Sequence, residues 1–320
     1  MQPIAKLSSP TASTKHVYAN TFVAPSLRQI ISANNFFFEM SLEEMINRII
    51  YMTTFAALTV FNPVRAQLKI NDDEKDSATG LSVSTNYDYS TGTYGTAYQL
   101  PSTTLSVGVL WDINENWSLD IDLPYLRQTS PVVVGNTTVR IVRIGGKLLV
   151  IKSANLVTTL QSKSGQGDVT TLLTRSFDTG AGPVWSVGAK VKLATASVAD
   201  GLGTGKNDLS IQTGVINDFG ALTVSAMAGY TLVGRVSGLQ LRDTVYLDLD
   251  SSYKLNERWS LGANFSISQA PVADSAAPIS ASVSANYKIG KKSYLTINML
   301  RGFSDGSPKW GAGLGVNVGF

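Results

Sequence analysis

From residue 79 to the last residue, apolar and polar positions alternate along the chain. In 81–89, Leu81, Val83, Tyr87 and Tyr89 fall on one side, with Thr85 among them. Ser82, Ser84, Asn86 and Asp88 fall on the other. Period two is the mark of a strand with one apolar and one polar face. The pattern predicts strands over 79–90, 102–113, 117–127, 168–177, 184–196, 208–217, 221–234, 244–255, 259–269, 278–289, 293–303 and 310–320, of which 168–177 and 293–303 are the least regular.

The connections add a second regularity. Tight turns occur at Asn114-Glu115-Asn116, at the Gly-containing 178–183, at Asp218-Phe219-Gly220, at Asn256-Glu257-Arg258 and at Gly290-Lys291-Lys292. They alternate with longer segments at 91–101, 128–167, 197–207, 235–243, 270–277 and 304–309. Short turns at one end and long loops at the other are the asymmetry of an outer-membrane β-barrel. The expected fold is therefore all-β, an antiparallel transmembrane barrel of about 12 strands, an even count that places both termini on the periplasmic side. Aromatics sit where interface girdles belong. Trp117 and Trp259 directly follow tight turns, Trp111, Trp185, Tyr253 and Phe320 lie near the same end, and Trp310 and Phe303 lie near the opposite rim. "NENWSL" at 114–119 recurs as "NERWSL" at 256–261, either the same turn-and-girdle chemistry used twice or the trace of a duplicated half.

The final strand, "WGAGLGVNVGF", puts Trp310, Ala312, Leu314, Val316, Val318 and Phe320 on one face and four glycines with Asn317 on the other. It resembles the C-terminal signal read by the bacterial barrel assembly machinery, an expected partner.

The segment 128–167 is the least settled. Its β-branched runs around Gly145-Gly146 look like a hairpin. From Arg127 to Gly167 it holds Arg127, Arg140, Arg143, Lys147, Lys152 and Lys163 and no acidic residue. Two further membrane strands, making 14, would send Arg140 and Arg143 to opposite faces and one of them into lipid, at about 2–4 kcal/mol. The preferred expectation is an extracellular hairpin. Its charge would face the anionic headgroups of outer-membrane lipid and lipopolysaccharide, or fold into the mouth toward Asp120 and Asp248.

Composition narrows the rest. No run of 18 apolar residues exists, which excludes an ordinary transmembrane helix but not a barrel. Residues 45–66 read as a secretory signal: Arg48, an apolar core from Ile49 to Val60, and Val64-Arg65-Ala66 as the cleavage site before Gln67. Residues 1–44 are then an upstream extension outside the true reading frame start, 67–78 is a polar N-terminal segment, and 79–320 is the barrel. Export to the Gram-negative outer membrane follows. There is no cysteine, and the single histidine, His16, precedes the signal. Serine–histidine and aspartate–histidine sites need an imidazole, so no enzyme is expected, and neither a cofactor nor a metal. The near-balanced charge of 67–320 gives no reason to expect nucleic acid as a partner.

"GLGTGKND" at 201–208 has the glycines and the lysine of a phosphate loop. That loop must open into a helix whose N-terminus helps hold the anion, whereas "NDLSIQTGVIND" alternates as a strand. The glycines are read as permitting positive φ in a tight surface loop.

With apolar faces outward, the residues expected to line the pore are Ser118, Asp120 and Asp122, Lys190 and Lys192, Asp248, Asp250 and Ser252, then Asn264, Ser266, Ser284 and Asn286. Either Lys190 and Lys192 neutralise the two aspartate pairs across the lumen, or the charges form a substrate-selective ring.

Four stretches carry a family resemblance over about 80–320: Leu123-Pro124-Tyr125, Gly165-Gln166-Gly167-Asp168-Val169-Thr170, Gly201 to Asp208, and the terminal aromatic strand. Together they resemble the outer-membrane β-barrel family named for the MetA pathway of phenol degradation. The resemblance implies a barrel that passes small organic compounds, often hydrophobic or aromatic. The insertion at 128–167 departs from that pattern. Two functions stay open: a passive channel for uptake or efflux, and a non-conducting structural or adhesive barrel that acts through its extracellular loops.

Overall fold

The structure, a computed structural model, describes residues 80–320 apart from 95, 145, 146, 179, 181, 238, 239, 273 and 274, and without the side chains of 132–158. The upstream extension 1–44, the signal 45–66 and the polar segment 67–78 lie outside the described residues.

Thirteen strands form one antiparallel sheet. They are β1 (Gly80–Gly92), β2 (Leu100–Asp112), β3 (Trp117–Ile144), β4 (Lys147–Gln166), β5 (Val169–Phe177), β6 (Val184–Leu193), β7 (Asp208–Phe219), β8 (Leu222–Leu232), β9 (Thr244–Lys254), β10 (Trp259–Ser268), β11 (Ile279–Gly290), β12 (Ser293–Gly302) and β13 (Trp310–Gly319). β1 pairs with β2 on one side and with β13 on the other, which closes the ring. The described chain thus begins and ends at the short-turn end, where the Phe320 amide donates to the Leu81 carbonyl.

β3 has two partners in succession. Its first part, Trp117–Asp122, pairs with β5. From Tyr125 to Ile144 it pairs with β4 instead. Its register with β2 ends at Gln128. The wall is therefore a closed ring of 12 strands plus β4, which pairs with β3 alone. The expected loop 128–167 is a hairpin arm of about 50 Å at the usual strand rise of ~3.3 Å per residue. The 14-strand alternative does not occur: β3 joins β5 directly, so no place in the ring is left for β4 or for a further strand.

The pleat sorts the residues by parity. Outside stand Leu, Val, Ile and aromatic side chains, as in β6, where Trp185, Val187 and Leu193 are exposed and Gly188 and Lys192 between them are buried. Inside, buried positions are mostly polar: Ser84, Asn86, Ser210, Gln212, Asn264, Asn286, Thr296 and Asn317 among others. This inversion of a soluble protein is stable only where the outer surface meets hydrocarbon. Trp111, Phe177, Trp185, Phe219, Tyr253, Trp259 and Phe320 are exposed around the short-turn edge, and Tyr125, Tyr230, Phe303 and Trp310 around the long-loop edge. Arg175 stacks its guanidinium 4.9 Å from the Phe177 ring and 5.6 Å from Trp117 within the first girdle.

Both "NENWSL" and "NERWSL" make the same turn. The Asn114 and Asn256 side-chain oxygens each accept amide hydrogens from two residues ahead and from the following Trp. Asparagine is used because its short amide mimics a backbone carbonyl in the turn.

Candidate functional site

At the long-loop end, three charged side chains meet inside the wall. The register Thr170–Lys192–Asp208 places Lys192 beside Asp208 on the inward face. The Lys192 ammonium lies 2.7 Å from the Asp208 carboxylate and 3.4 Å from that of Asp168. All three residues are buried. Each carboxylate also receives a backbone donor, Asp168 from the Ala196 amide at 3.0 Å and Asp208 from the Gly234 amide at 2.8 Å. Paired and hydrogen-bonded charges of this kind tie loops 194–207 and 233–243 to the wall.

The loop 194–207 is the glycine-rich segment, and its middle is buried rather than on the surface. That corrects the surface placement expected from sequence. Leu202 packs with Leu126 and Ala196 at 1 % exposure, and the Gln128 side-chain amide donates to the Gly201 carbonyl. Gly201 and Gly205 have φ of 70° and 65°, a region that L side chains avoid. Gly203 is needed for room: a Cβ there would lie 2.6 Å from that of Ala196 and 3.0 Å from the Asp168 carboxylate. No helix follows and no phosphate cradle forms; the segment runs into β7. At its outer edge Asp200 sits 3.4 Å from Lys163. Its carboxyl is held below the usual range, first by the Ser197 hydroxyl and then by Lys163.

Below this cluster, the pore-lining residues expected from sequence all lie on inward-facing positions. Ser118, Asp120 and Asp122 are half-buried on β3, and Lys190 is half-buried on β6. Asp248, Asp250 and Ser252 are buried on β9, as are Asn264 on β10 and Ser284 and Asn286 on β11, with Ser266 half-buried opposite Asp248. Asn264 donates to Asp250 at 2.8 Å, and Thr296 donates to the Asn286 oxygen at 2.7 Å. Oδ1 of Asp248 is buried with no hydrogen-bond partner.

The two lysines have separate fates, which the expectation of joint neutralisation missed. Lys192 is consumed by Asp168 and Asp208, not by Asp120, Asp122 or Asp250. Lys190 lies 5.7 Å over the Tyr246 ring and feels the charges of Asp248 and Asp120, which flank it along the wall on β9 and β3. Tyr246 is fixed by its hydroxyl bond to Gln212 at 2.8 Å and fills the space over Gly229. In sequence Asp168 and Asp208 stand at strand starts within two of the stretches that carry the family resemblance. Their inward aim needs the register.

The glycines on the inner face of β13 are covered by neighbouring side chains. A Cβ at Gly313 would meet Asn298 at 2.6 Å, with Asp88 beside it, and Asn86 lies over Gly315. The long loops are knitted together at the rim. Arg235 pairs with Asp243 at 2.9 Å, and the Arg242 guanidinium donates to the Ala270 carbonyl at 2.7 Å. Tyr94 is buried there with Leu100, and burial pushes its phenol up to about 12.

Of the basic residues expected in the long segment, Arg127 is exposed at the rim and Lys163 lies 3.4 Å from Asp200. Arg140, Arg143, Lys147 and Lys152 lie on the arm, where side chains are outside the described set. Among the described residues no group of three or more His, Asp or Glu side chains is disposed to hold a metal ion.

An apolar outer belt edged with aromatics, closed around a polar and charged interior, defines a β-barrel of the outer-membrane class. The chain belongs to the family described as "Putative MetA-pathway of phenol degradation", whose profile matches residues 130–320. Among solved structures it is similar to the COG4313 outer membrane channel from Pseudomonas putida F1, with TM-score 0.55 and 14% identity over 78% of this chain and 99% of that one. It also matches a KdgM porin, with TM-score 0.47 and 9% identity over 75% and 99% of the two chains. A third match is the CymD monoaromatic hydrocarbon channel, with TM-score 0.39 and 11% identity over 82% and 91%. No curated protein sequence matches the chain.

Proposed function

We propose that this protein is a passive outer-membrane channel for small organic molecules, with its short turns and both termini facing the periplasm after removal of residues 1–66. The observation that carries this reading is the segregation of charge. Asp120, Asp122, Lys190, Asp248 and Asp250 all stand inside a closed wall whose outside is apolar. A wall that only anchors loops gains nothing from charges in its interior, each of which must be solvated or paired. A ring of this size lies between eight-stranded barrels, whose interior side chains fill, and the open porins of 16 or more strands, so its path is narrow. The fold is shared with a solved barrel described as an outer membrane channel. The hydrophobic or aromatic preference implied by the family name belongs to this reading as one solute class to be tried.

The β3–β4 arm favours a second reading, a non-conducting structural or adhesive barrel that works through its loops. Beyond Gln128 the arm pairs with no strand of the ring, so it is free to meet another surface. Planar-bilayer recording of the purified barrel separates the two. Discrete conductance steps support the channel, and a folded protein that inserts without steps supports the scaffold.

A further inference from the structure

Charge inside the ring is unequally accessible. The cluster of Lys192 with Asp168 and Asp208 is buried and locked in direct contacts. Asp248 and Asp250 are buried on the β9 side. The half-buried charged groups of the wall are instead Asp88 on β1, Asp112 on β2, Asp120 and Asp122 on β3, Lys190 on β6 and Lys288 on β11. The register explains why the β1–β3 side stays open. Gly108 on β2 stands between Ser84 and Asp122 and contributes no side chain to the interior. Asp88 and Asp122 are close enough that each feels the other's charge.

Lys190 and Lys288 are the cations among these groups, and Lys190 is the one nearer the aspartates of β3. It extends over Tyr246 between Asp120 and Asp248. No carboxylate among the described residues comes within ion-pair distance of it. Asp248 lies behind it, 3 % exposed, with a carboxylate oxygen that has no hydrogen-bond partner. At the long-loop end the locked cluster itself carries one more carboxylate than lysine. Lys288 is the inward cation near the short-turn end, where it lies 5.9 Å over the Tyr294 ring.

We infer that the path through the ring runs along the β1–β3 wall and selects small cations, such as ammonium-bearing organic molecules, over carboxylates, with Lys190 as the residue that limits this preference. The inference rests on the channel reading above. A narrow passage with low-dielectric walls focuses fixed charge and concentrates its counter-ions. Asp88, Asp120 and Asp122 set the sign, and Lys190, two strands along the wall from Asp120, weakens it.

The test is the reversal potential of the purified barrel in a KCl gradient across a planar bilayer, followed by swelling of vesicles in ethanolamine or glycolate. The wild type should prefer K⁺ over Cl⁻ several-fold. Asp88→Asn with Asp122→Asn should bring the ratio toward one, Lys190→Gln should raise it, and ethanolamine should enter faster than glycolate. Conductance without charge preference, or with preference for Cl⁻, overturns this inference and leaves the channel reading standing. A folded, inserted barrel without conductance overturns both. A Lys190→Gln variant with unchanged selectivity overturns the role of that residue.

Discussion

Replacing Lys192 by alanine should be among the most destabilising single changes in the barrel. The ammonium is shared by Asp168 and Asp208 at 3.4 and 2.7 Å, and all three groups are buried. Removing one partner of a buried pair leaves an uncompensated charge and costs about 3–5 kcal/mol. Here two carboxylates are stranded together, although lumenal water reaching them would lower the penalty, so the lower end of the range is expected. At about 3 kcal/mol the folding equilibrium shifts by roughly 100-fold. The damage should spread through the backbone donors of Ala196 and Gly234, which bond to the same carboxylates and fix two loops. Urea unfolding of the purified protein in detergent micelles, followed by tryptophan fluorescence and by heat-modifiable migration, measures the loss. Protease should also begin to cut within 198–206. Combining Lys192→Met with Asp168→Asn and Asp208→Asn should recover most of the stability, because no charge is then left unpaired. A Lys192→Ala barrel within about 1 kcal/mol of wild type would refute the argument, since that is the worth of an exposed ion pair.

Gly203→Ala should destabilise the same loop by about 1–3 kcal/mol through overpacking, against Ala196 and the Asp168 carboxylate, and an unchanged urea midpoint would show that the loop can yield. Replacing 132–159 with Asn-Gly, so that Pro131 and Leu160 flank a two-residue turn, should leave the 12-stranded ring intact, because beyond Gln128 the arm pairs only with itself; loss of the heat-modifiable band would show that the arm supports the wall. Deleting Phe320 should lower the amount of assembled barrel in outer-membrane fractions, since it removes the aromatic residue that follows β13 and its amide bond to Leu81, and unchanged band intensity would count against its role as an assembly signal. Asp120→Lys with Asp122→Lys should move ion preference toward anions, and a fixed reversal potential would remove those carboxylates from the conducting path.

Much of this architecture is legible because a barrel wall has a strict period. Twelve predicted segments coincide with ring strands to within a few residues, since at every second position the alternative is a charge in lipid. Two places resist. Strand 117–127 continues to Ile144 because its hydrogen bonds are taken over by β4. Alternation cannot distinguish a strand that stays in a wall from one that leaves it. Arg140 and Arg143 did carry that information, through their clash of parity. Strand 184–196 stops at Leu193, where the chain turns inward and the Ala194 amide bonds to the Asn207 side chain. Which residues meet is harder still. Parity put Lys190 and Lys192 inside together, but only the register shows that one is neighbour to Asp208 and the other to Ser210. The glycines of 201–205 look alike in sequence, yet two serve positive φ and one serves close packing.

The central claim is that the charged interior is a path, and vesicle swelling tests it most directly. Proteoliposomes of the purified barrel should swell in neutral solutes at rates that fall steeply with solute size, with glycerol well ahead of disaccharides. Vesicles that carry folded, heat-modifiable protein but swell no faster than empty ones in any solute would contradict it.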